Sequence, residues 1–470
     1  MSADGRPPLR SPGRASVRSG GGTPTPSRSR SARGPSAILA LDAIVLAVVL
    51  ATAPAAFIWL GGSAPAAVAF ASPQPSASIE AAPSPTTASA VPTATPATPA
   101  ASSVSPTAVV DRLGAWSLLV PLPVPLWGPG VALLTDGRML VIGGVSGSSS
   151  FNALSDVEAF DPRLGSWAAV EPMLVARAYP TTAVLPDGSV LVAGGSRNGL
   201  PLAGAERYVP GTGTWVSAGT MNVPRSHATA TVLQDGRVLV TGGGWQGSPG
   251  YASTATAEIF DPATNAWTAT APMTHARAWH TATLLPDGSV LVVGGADTYH
   301  GTKGRVTATA ETYDPVSATW RPAKSMSVAR YHQTAAPLPD GRVLVAGGWA
   351  LTSNSDRSLA SAAIYDPASD TWTATGAMAA GRASASMVVL PDGRALVVGG
   401  VDPAYRVMAT TEIFDVETGR WRTTGRLGTP VMMPALAVLD DGRVVLAGGA
   451  LDTNASRPTS IATIFLPPKP

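Results

Sequence analysis

Residues 280–295 read HTATLLPDGSVLVVGG, and this stretch decides the fold because the chain repeats its pattern seven times. An Asp-Gly turn followed by a Gly-Gly pair recurs along the chain, with turn aspartates at Asp136, Asp187, Asp235, Asp287, Asp340, Asp392 and Asp441. Successive turns are 48 to 53 residues apart, and the first Gly of each pair always follows the turn Gly by six residues. A period near fifty residues indicates a repeat architecture.

One repeat predicts four strands. A β-compatible run ends at the Pro-Asp-Gly of residues 286–288, which suits a tight hairpin because Pro presets φ and Gly takes the left-handed conformation. The apolar run of residues 289–293 follows as a buried strand, and Gly294-Gly295 ends it where a side chain would obstruct a neighbouring backbone. After a polar loop, residues 311–315 form a third strand and Trp320 marks a fourth. Each repeat therefore predicts one four-stranded antiparallel sheet.

Two aromatic columns align across the repeats. The third strand carries Phe160, Tyr208, Phe260, Tyr313, Tyr365, Phe414 and Phe465. The fourth strand carries Trp167, Trp215, Trp267, Trp320, Trp372 and Trp421, whereas the seventh tryptophan, Trp116, lies upstream of every repeat. The repeats thus start on a fourth strand and stop after a third strand at residues 461–466. We expect these two segments to complete one sheet, which would close a ring without an open seam.

The double Gly, the spaced aromatic residue and the Trp resemble the kelch repeat. The resemblance covers residues 111–467 and implies an all-β fold, a seven-bladed β-propeller with four antiparallel strands in each blade. It does not imply one activity, because the family includes protein-binding adaptors, copper oxidases that act on sugars, and sialic-acid epimerases. The oxidase members use a Tyr cross-linked to Cys. This chain has no Cys, so we expect no copper-radical oxidase activity and no cofactor.

The segment before the repeats predicts export. Residues 1–36 carry seven Arg and one Asp among many Ser, Pro and Gly, and are expected to form a disordered cytoplasmic tail. Residues 37–60 contain a single charge, Asp42, and are long enough to span a bilayer as a helix. The Arg-rich flank places the propeller on the extracytoplasmic side. A cleaved signal peptide is the alternative, and it would also export the propeller. Residues 61–110, rich in Pro, Ser, Thr and Ala, predict an extended linker.

The charge balance argues against nucleic acid as a partner. The formal net charge is +2, but the tail contributes +6 (seven Arg less one Asp), so the rest of the chain sums to −4. Such a balance provides no basic surface for phosphates. The absence of Cys excludes disulfides and thiolate metal sites, and the five His are too separated to predict a metal centre.

The loops between the second and third strands are candidate binding elements. Their lengths vary, with 11 to 16 residues between the second Gly of a pair and the column that carries Glu in most repeats. Variable loops on a rigid scaffold are where binding usually occurs. These loops also hold aromatic residues that we expect to be exposed and able to contact sugar rings or peptide side chains. They are Trp245, Tyr251, Tyr299, His300, Trp349 and Tyr405.

A column of arginines suggests a second candidate feature. Ten residues before the turn Asp lie Arg177, Arg225, Arg277, Arg330 and Arg382. Two residues further lie Tyr179, His227, Trp279, His332 and Ser384, and His280 is next to Trp279. A ring of Arg, His and aromatic side chains at a channel mouth would suit a carboxylate or an acidic sugar.

A structural interpretation of the same column is favoured. In four repeats the Arg follows a Glu by 19 residues, as Arg277 follows Glu258, and this constant spacing predicts a repeated ion pair between blades. At the same spacing Arg382 has Ala363, so the sequence predicts that Arg382 is the arginine free for a ligand. By the same reasoning Glu412 should face Val431.

The sequence therefore predicts a membrane-anchored binding module for a glycan or a protein at the cell surface, without catalysis. The alternative is a sugar-active enzyme, an isomerase, epimerase or lyase, with its site at the channel mouth. No nucleophile triad, phosphate loop or paired-carboxylate motif supports an enzyme. The candidate ligand-binding residues are Arg382, Arg177, Arg225, His227, Arg277, Trp279, His280, Arg330, His332, Trp245, Tyr299 and Trp349.

Overall fold

The computed structural model describes residues 114–147, 152–247, 250–297, 305–351 and 356–468. These residues form strands, turns and loops without a helix. The expected tail, the expected spanning segment and the linker lie outside the described residues. Within the described part of the chain, no helix has the length and apolarity needed to cross a membrane.

Seven four-stranded antiparallel sheets make up the blades, as the repeats predict. Blade 1 consists of β2 (Gly130–Leu133), β3 (Met139–Ile142), β4 (Val157–Asp161) and β5 (Ser166–Val170). Blade 2 consists of β6 (Thr181–Val184), β7 (Val190–Ala193), β10 (Gly204–Val209) and β11 (Thr214–Thr220). Blade 3 consists of β12 (Thr229–Val232), β13 (Val238–Thr241), β16 (Ala257–Asp261) and β17 (Ala266–Thr270). Blade 4 consists of β18 (Thr281–Leu284), β19 (Val290–Val293), β22 (Ala310–Asp314) and β23 (Thr319–Ala323).

The remaining blades follow the same order from the inner to the outer strand. Blade 5 consists of β24 (Thr334–Pro337), β25 (Val343–Ala346), β28 (Ala362–Asp366) and β29 (Thr371–Ala374). Blade 6 consists of β30 (Ser386–Val389), β31 (Ala395–Val398), β32 (Thr411–Asp415) and β33 (Arg420–Thr423). Blade 7 consists of β34 (Ala435–Val438), β35 (Val444–Ala447), β36 (Ala462–Leu466) and β1 (Ala115–Leu118). Four short hairpins lie between the second and third strands, namely β8 (Ser196–Arg197) with β9 (Leu200–Pro201), β14 (Gly244–Gly247) with β15 (Gly250–Ser253), β20 (Ala296–Asp297) with β21 (Arg305–Val306), and β26 (Trp349–Leu351) with β27 (Asp356–Ser358).

The ring closes as the sequence predicts. Strand β1 pairs with β36 and places Trp116 opposite Phe465, which is the Trp-aromatic pairing found in the other blades. Each inner strand contacts the inner strands of both neighbouring blades, so that the seven surround a central channel. Because the two ends of the repeat region share one sheet, β36 does not present a free edge to solvent.

The two glycine motifs have separate backbone roles. The turn glycines have φ of 80° to 86°, a region that Gly occupies without steric cost, and the turn Asp accepts a backbone N–H two residues later. At the Gly-Gly pairs the constraint is steric, because another backbone segment lies too close to leave room for a side chain. A Cβ on Gly194 would lie 2.4 Å from the carbonyl oxygen of Arg225, which belongs to the loop entering the next blade. The Gly-Gly pair therefore lets the inter-blade loop pack directly on the second strand.

The tryptophan column connects the outer strands of adjacent blades. The indole Nε1 of Trp215 donates to the Glu171 carbonyl at 2.7 Å, and Trp320 donates to Ala271 at the same distance. Five methionines at equivalent positions of successive repeats belong to the buried core, namely Met173, Met221, Met273, Met326 and Met378. Packing between blades and these indole hydrogen bonds stabilise a fold that has no disulfide.

Candidate binding site

The loops between the second and third strands and the loops between blades meet on one face, called here the crown face. An isolated bridge joins the residue after each Arg-column position to the residue after the Gly-Gly pair, as between Ala278 and Ala296. An apolar layer including Trp127, Tyr331 and Trp349 lies beneath this face. The short turns with the Asp-Gly sequences lie at the opposite ends of the strands. The crown face therefore carries the variable elements that the sequence predicts.

Seven residues at the crown end of the channel form what we call the central belt. They precede the inner strands by two residues and are Gly128, Tyr179, His227, Trp279, His332, Ser384 and Met433. All seven have φ between 48° and 59°, which is the left-handed region. For a residue with a side chain this conformation costs about 1–3 kcal/mol and persists only where the surrounding structure imposes it.

Backbone hydrogen bonds join most neighbouring belt residues around the channel. The N–H of His332 donates to the Trp279 carbonyl at 3.1 Å, and the N–H of Ser384 donates to the His332 carbonyl at 3.1 Å. The N–H of Met433 continues the series to Ser384 at 3.0 Å, and the N–H of Tyr179 donates to the Gly128 carbonyl at 3.1 Å. The N–H of Trp279 donates to the His227 carbonyl at 3.4 Å, so these bonds connect blade 1 with blade 2 and link blades 3 to 7 in order at the channel mouth.

Four consecutive belt residues present a continuous aromatic surface. The ring centroids of Tyr179 and His227 are 4.4 Å apart, those of His227 and Trp279 5.2 Å, and those of Trp279 and His332 5.2 Å. All four side chains are partly exposed. On the other side of the channel the belt continues with Ser384, Met433 and Gly128. The channel mouth is therefore aromatic on one side and has smaller or flexible residues on the other.

The two belt histidines are neutral at physiological pH. Burial lowers the pKa of His227 to about 4. Burial, followed by the proximity of His227, lowers the pKa of His332 to about 3. The aromatic side of the belt is consequently an uncharged surface, and it suits apolar and aromatic groups better than ions.

The arginine column is buried in ion pairs rather than displayed at the channel mouth. Arg225 contacts Glu258 at 2.7 Å, Arg277 contacts Glu311 at 2.7 Å, and both guanidinium groups are fully buried. Arg177 pairs with Glu206 at 2.6 Å in the same way. Each Arg also donates to two backbone carbonyls, one of which belongs to the first Gly of a Gly-Gly pair. The ion-pair interpretation is therefore confirmed, but its partners are different from those predicted.

The predicted pairing is displaced by one blade. The 19-residue spacing pairs Arg277 with Glu258, whereas the structure pairs Arg277 with Glu311, 34 residues later. The prediction that Arg382 is free is also wrong, since its Nη2 donates to the Glu412 carboxylate and the residue is 1% exposed. Glu412 accordingly does not face Val431 as a lone charge. The reason is geometric: each Arg lies on the loop that enters a blade, and its carboxylate partner lies on the third strand of that blade.

Two positions depart from the pairing. Arg330 is 2% exposed, and the position equivalent to the partner glutamates in its blade is Ala363. No carboxylate contacts Arg330 within the described residues. Conversely, Glu158 in blade 1 has Leu126 at the Arg position, and its buried Oε2 has no hydrogen-bond partner in the described part of the chain. Burial, and then the charge of Asp156, raises the pKa of Glu158.

Other candidate residues occupy different environments from those expected. His280 is 5% exposed, and its Nε2 lies 3.0 Å from Thr229 Oγ1 and 3.1 Å from Thr241 Oγ1 between two blades. Trp349 is fully buried, and its ring stacks on Tyr405 at 5.3 Å, so the expectation that Trp349 is exposed is wrong. The backbone of Trp245 belongs to β14.

For four of the predicted loop residues the structure shows no side-chain environment. The side chains of Trp245 and Tyr251 are not described, and Tyr299 and His300 lie outside the described residues. No group of three or more His, Asp or Glu that would hold a metal ion occurs in the described part of the chain. The ligand-binding roles assigned from the sequence stay predictions.

Sequence reasoning named five of the seven belt residues, without Gly128 and Met433, and missed their common conformation. Six residue types occupy the seven positions, and only Gly128 signals a left-handed backbone. The available signal was positional: each belt residue follows the Arg column by two and precedes an inner strand by two.

Known protein families match most of the repeat region. A kelch motif model matches residues 130–174 and 177–222, and the KLHDC2/KLHL20/DRC7 kelch-repeats domain model matches residues 226–449. The Kelch-like protein terF of Aspergillus terreus is 32% identical over 25% of this chain and 26% of its own length. Alpha-scruin of Limulus polyphemus is 30% identical over 26% of this chain and 13% of its own length.

Two further similarities agree with the fold. An F-box/kelch-repeat protein of Arabidopsis thaliana is 31% identical over 25% of this chain and 33% of its own length, so these matches span a third or less of each curated relative. A solved structure of a fungal AA5-family alcohol oxidase in complex with copper has a TM-score of 0.60, with 21% identity over 76% of this chain and 77% of that chain. At that identity the likeness shows the fold alone.

Proposed function

Because the chain belongs to the kelch-repeat β-propeller family, we propose that it is a protein-interaction module that binds a partner polypeptide on its crown face. A kelch propeller is typical of protein-interaction modules. The whole activity of any one relative is not transferred, since each match covers only part of that relative. The partner-binding surface is assigned from the central belt.

The observation that carries the proposal is the aromatic surface formed by Tyr179, His227, Trp279 and His332. Conformational strain at six side-chain-bearing belt positions concentrates at this mouth, and strain of this kind clusters at functional sites. Aromatic side chains supply large contact area at low entropic cost, which is why Tyr and Trp are enriched at binding hot spots. Because the two histidines are neutral, the surface favours an apolar or aromatic segment of a partner.

The test compares partners retained by the full chain with those retained by a Trp279→Ser variant. Ser is the natural belt residue at position 384, so the substitution keeps a side chain already present in the same backbone conformation. Leu164→Ser is the matched control, because Leu164 is 77% exposed in the turn between β4 and β5. We expect at least one protein to be captured by wild type and Leu164→Ser and to be lost with Trp279→Ser. Identical sets of captured proteins for all three chains would contradict the proposal.

A glycan is the second candidate ligand, because sugar rings stack on aromatic faces as peptide side chains do. The same three chains applied to a glycan array distinguish the two. Binding of defined glycans that Trp279→Ser removes would identify a lectin-like function. A sugar-active isomerase, epimerase or lyase is less favoured, because an active site needs ionisable groups that are not neutralised within the fold. Four of the five column arginines are paired with glutamate.

We also propose that residues 37–60 anchor the chain and that the propeller is extracytoplasmic. The support is the length of the apolar segment and its Arg-rich flank. Cell fractionation followed by external protease treatment tests both parts. We expect the full chain in the membrane fraction with its propeller accessible to external protease, and recovery only in the cytoplasm would contradict the proposal.

A further inference from the structure

At the junction of blades 4 and 5, a buried arginine faces an alanine where equivalent junctions place a glutamate. Arg330 is 2% exposed. Ala363 occupies the position that is Glu258, Glu311 or Glu412 in blades 3, 4 and 6. This junction therefore retains the cation of a repeated buried pair without its anion.

The paired junctions show what the missing carboxylate does. Glu258 accepts a hydrogen bond from Arg225 Nη2 at 2.7 Å. It also accepts from two consecutive backbone N–H groups of the incoming loop, Asn222 at 2.7 Å and Val223 at 3.1 Å. The carboxylate is thus held by a guanidinium and by main-chain donors, which is a strong arrangement for an anion.

The junction at Arg330 retains the same donors. Arg330 Nη1 donates to the carbonyls of Gly347 at 2.9 Å and Ser361 at 3.0 Å, and its Nη2 donates to Ser361 Oγ at 3.0 Å. Arg277 makes the equivalent three hydrogen bonds, and its Nη2 also donates to Glu311. The Arg330 guanidinium is therefore held in the same way as that of its paired counterpart.

The incoming loop is also equivalent at this junction. Ser327 and Val328 follow Met326 as Asn222 and Val223 follow Met221, so their N–H groups occupy the positions that bind a carboxylate in the paired junction. In the described residues these two N–H groups have no protein acceptor.

Charge and exposure indicate that an external anion can reach the site. Burial lowers the pKa of Arg330 to about 10, so the guanidinium stays charged at neutral pH. A buried charge without a counter-charge is costly. Ala363 is partly exposed, whereas Glu258 and Glu412 at the equivalent position are each 1% exposed. The shorter side chain therefore leaves the position of the glutamate partly accessible to solvent.

We propose that the junction of blades 4 and 5 is a carboxylate-binding site formed by Arg330 Nη2 and the backbone N–H groups of Ser327 and Val328. The ligand is a monocarboxylate. It is either a small free one, such as formate or acetate, or the side-chain carboxylate of a bound polypeptide. Neither source depends on the aromatic belt, so loss of the belt function would leave this site intact.

The test measures the melting temperature of the full chain in sodium formate and in sodium chloride at equal ionic strength. We expect formate to raise the melting temperature of wild type by about 2 °C relative to chloride, the size expected for a ligand at about ten times its Kd. In Ala363→Glu the protein supplies its own carboxylate, so the melting temperature should be higher and the difference between the salts should disappear. General salt effects cancel because both chains experience them equally. An equal formate effect in wild type and Ala363→Glu would overturn the proposal.

Two further variants test the carboxylate site if Ala363→Glu folds poorly. Ala363→Gln fills the same position with a neutral acceptor and should also remove the formate effect. Glu412→Ala recreates the Arg330 arrangement beside Arg382, and it should add a second formate-dependent rise in melting temperature. Absence of both changes would overturn the proposal.

The source of the carboxylate is resolved with N-acetylglutamate amide. A rise that formate and N-acetylglutamate amide both produce, and that Ala363→Glu removes, would assign the site to a polypeptide side chain. A rise with formate alone would assign it to a small free carboxylate.

Discussion

Replacing Glu258 reveals which arginine this carboxylate neutralises. Glu258 is 1% exposed, lies 2.7 Å from Arg225, and accepts two backbone N–H groups. Glu258→Ala leaves Arg225 as an uncompensated buried charge. Breaking a buried pair from one side costs about 3–5 kcal/mol, and we expect the free energy of unfolding to fall by this amount. Each backbone N–H that loses its acceptor adds about 1 kcal/mol, which places the expected value at the upper end of that range.

A double-mutant cycle identifies the partner. Residues in one hydrogen-bonded pair couple by about 0.5–3 kcal/mol, whereas residues without shared partners add to within about 0.5 kcal/mol. We expect Glu258→Ala to couple with Arg225→Ala and to be additive with Arg277→Ala, because Arg277 contacts Glu311 instead. Urea unfolding of the full chain, of the three single variants and of the two double variants provides the measurement. A larger coupling of Glu258 with Arg277 than with Arg225 would refute the pairing between a blade and the loop that enters it.

Three other perturbations test the fold. Deleting residues 111–120 removes β1 and leaves β36 as an open edge, so the melting temperature should fall clearly, and a parental value would contradict the closure. The folded-state pKa of Glu158 is raised, so its favourable contribution is present below pH 4.5, the ordinary pKa of glutamate, and is lost at higher pH. Glu158→Gln should therefore stabilise the chain at pH 7 but not at pH 4, as measured by urea unfolding at both values. Burial, then Arg277 and Arg225, lowers the pKa of His280 from 6.5 to about 3, so stability is lost as pH falls below 6.5. His280→Gln, the residue found at position 333 in the next blade, should reduce the stability lost between pH 7.5 and pH 5 by about 2 kcal/mol, and an unchanged loss would show that His280 is not the group responsible.

The blades were predictable because their signals are local. The Asp-Gly turn needs a left-handed backbone over a few residues, and Gly-Gly is required wherever an inter-blade loop packs on a strand, so both motifs recur in every repeat. Closure was also predictable, because Trp116 lacked a third strand before it and Phe465 lacked a fourth strand after it. Both inferences depend only on counting strands along the chain.

The belt was not predictable in this way. Its left-handed conformation is shared by all seven positions whatever their side chains, and at Tyr179, Trp279, Ser384 and Met433 the backbone N–H bonds to the neighbouring blade. Side-chain preference carries little information where tertiary contacts set φ. The expected exposure of Trp349 was wrong for a related reason, since this residue packs into the apolar layer beneath the crown face.

The arginine pairing shows a limit of periodic reasoning. The constant spacing of 19 residues spans a fourth strand and an inter-blade loop of fixed length, whereas the true partner lies 29 to 34 residues ahead, beyond a loop of variable length. The Arg column can pair with the Glu that precedes it in the chain (the backward register) or with the Glu that follows it (the forward register). Around a closed ring, either register leaves two junctions where a charged residue lacks its partner. Pairing backwards sets Ala363 against Arg382 and Glu412 against Val431. Pairing forwards sets Leu126 against Glu158 and Arg330 against Ala363. The sequence alone could not choose, because both registers leave the same number of unpaired charges.

The choice of register changes which residues are of functional interest. In the backward register Arg382 is the unpaired cation and Glu412 the unpaired anion. In the observed register the unpaired groups are Arg330 and Glu158, in blades that are not neighbours, so they cannot neutralise each other. Within the described residues, the Arg and Glu columns therefore leave one buried arginine and one buried glutamate without a partner from the other column. Glu158 can lower the free-energy cost of burying its charge by taking up a proton, as its raised pKa indicates. Arg330 remains charged at neutral pH, and an anion from outside the chain is the means left to neutralise it.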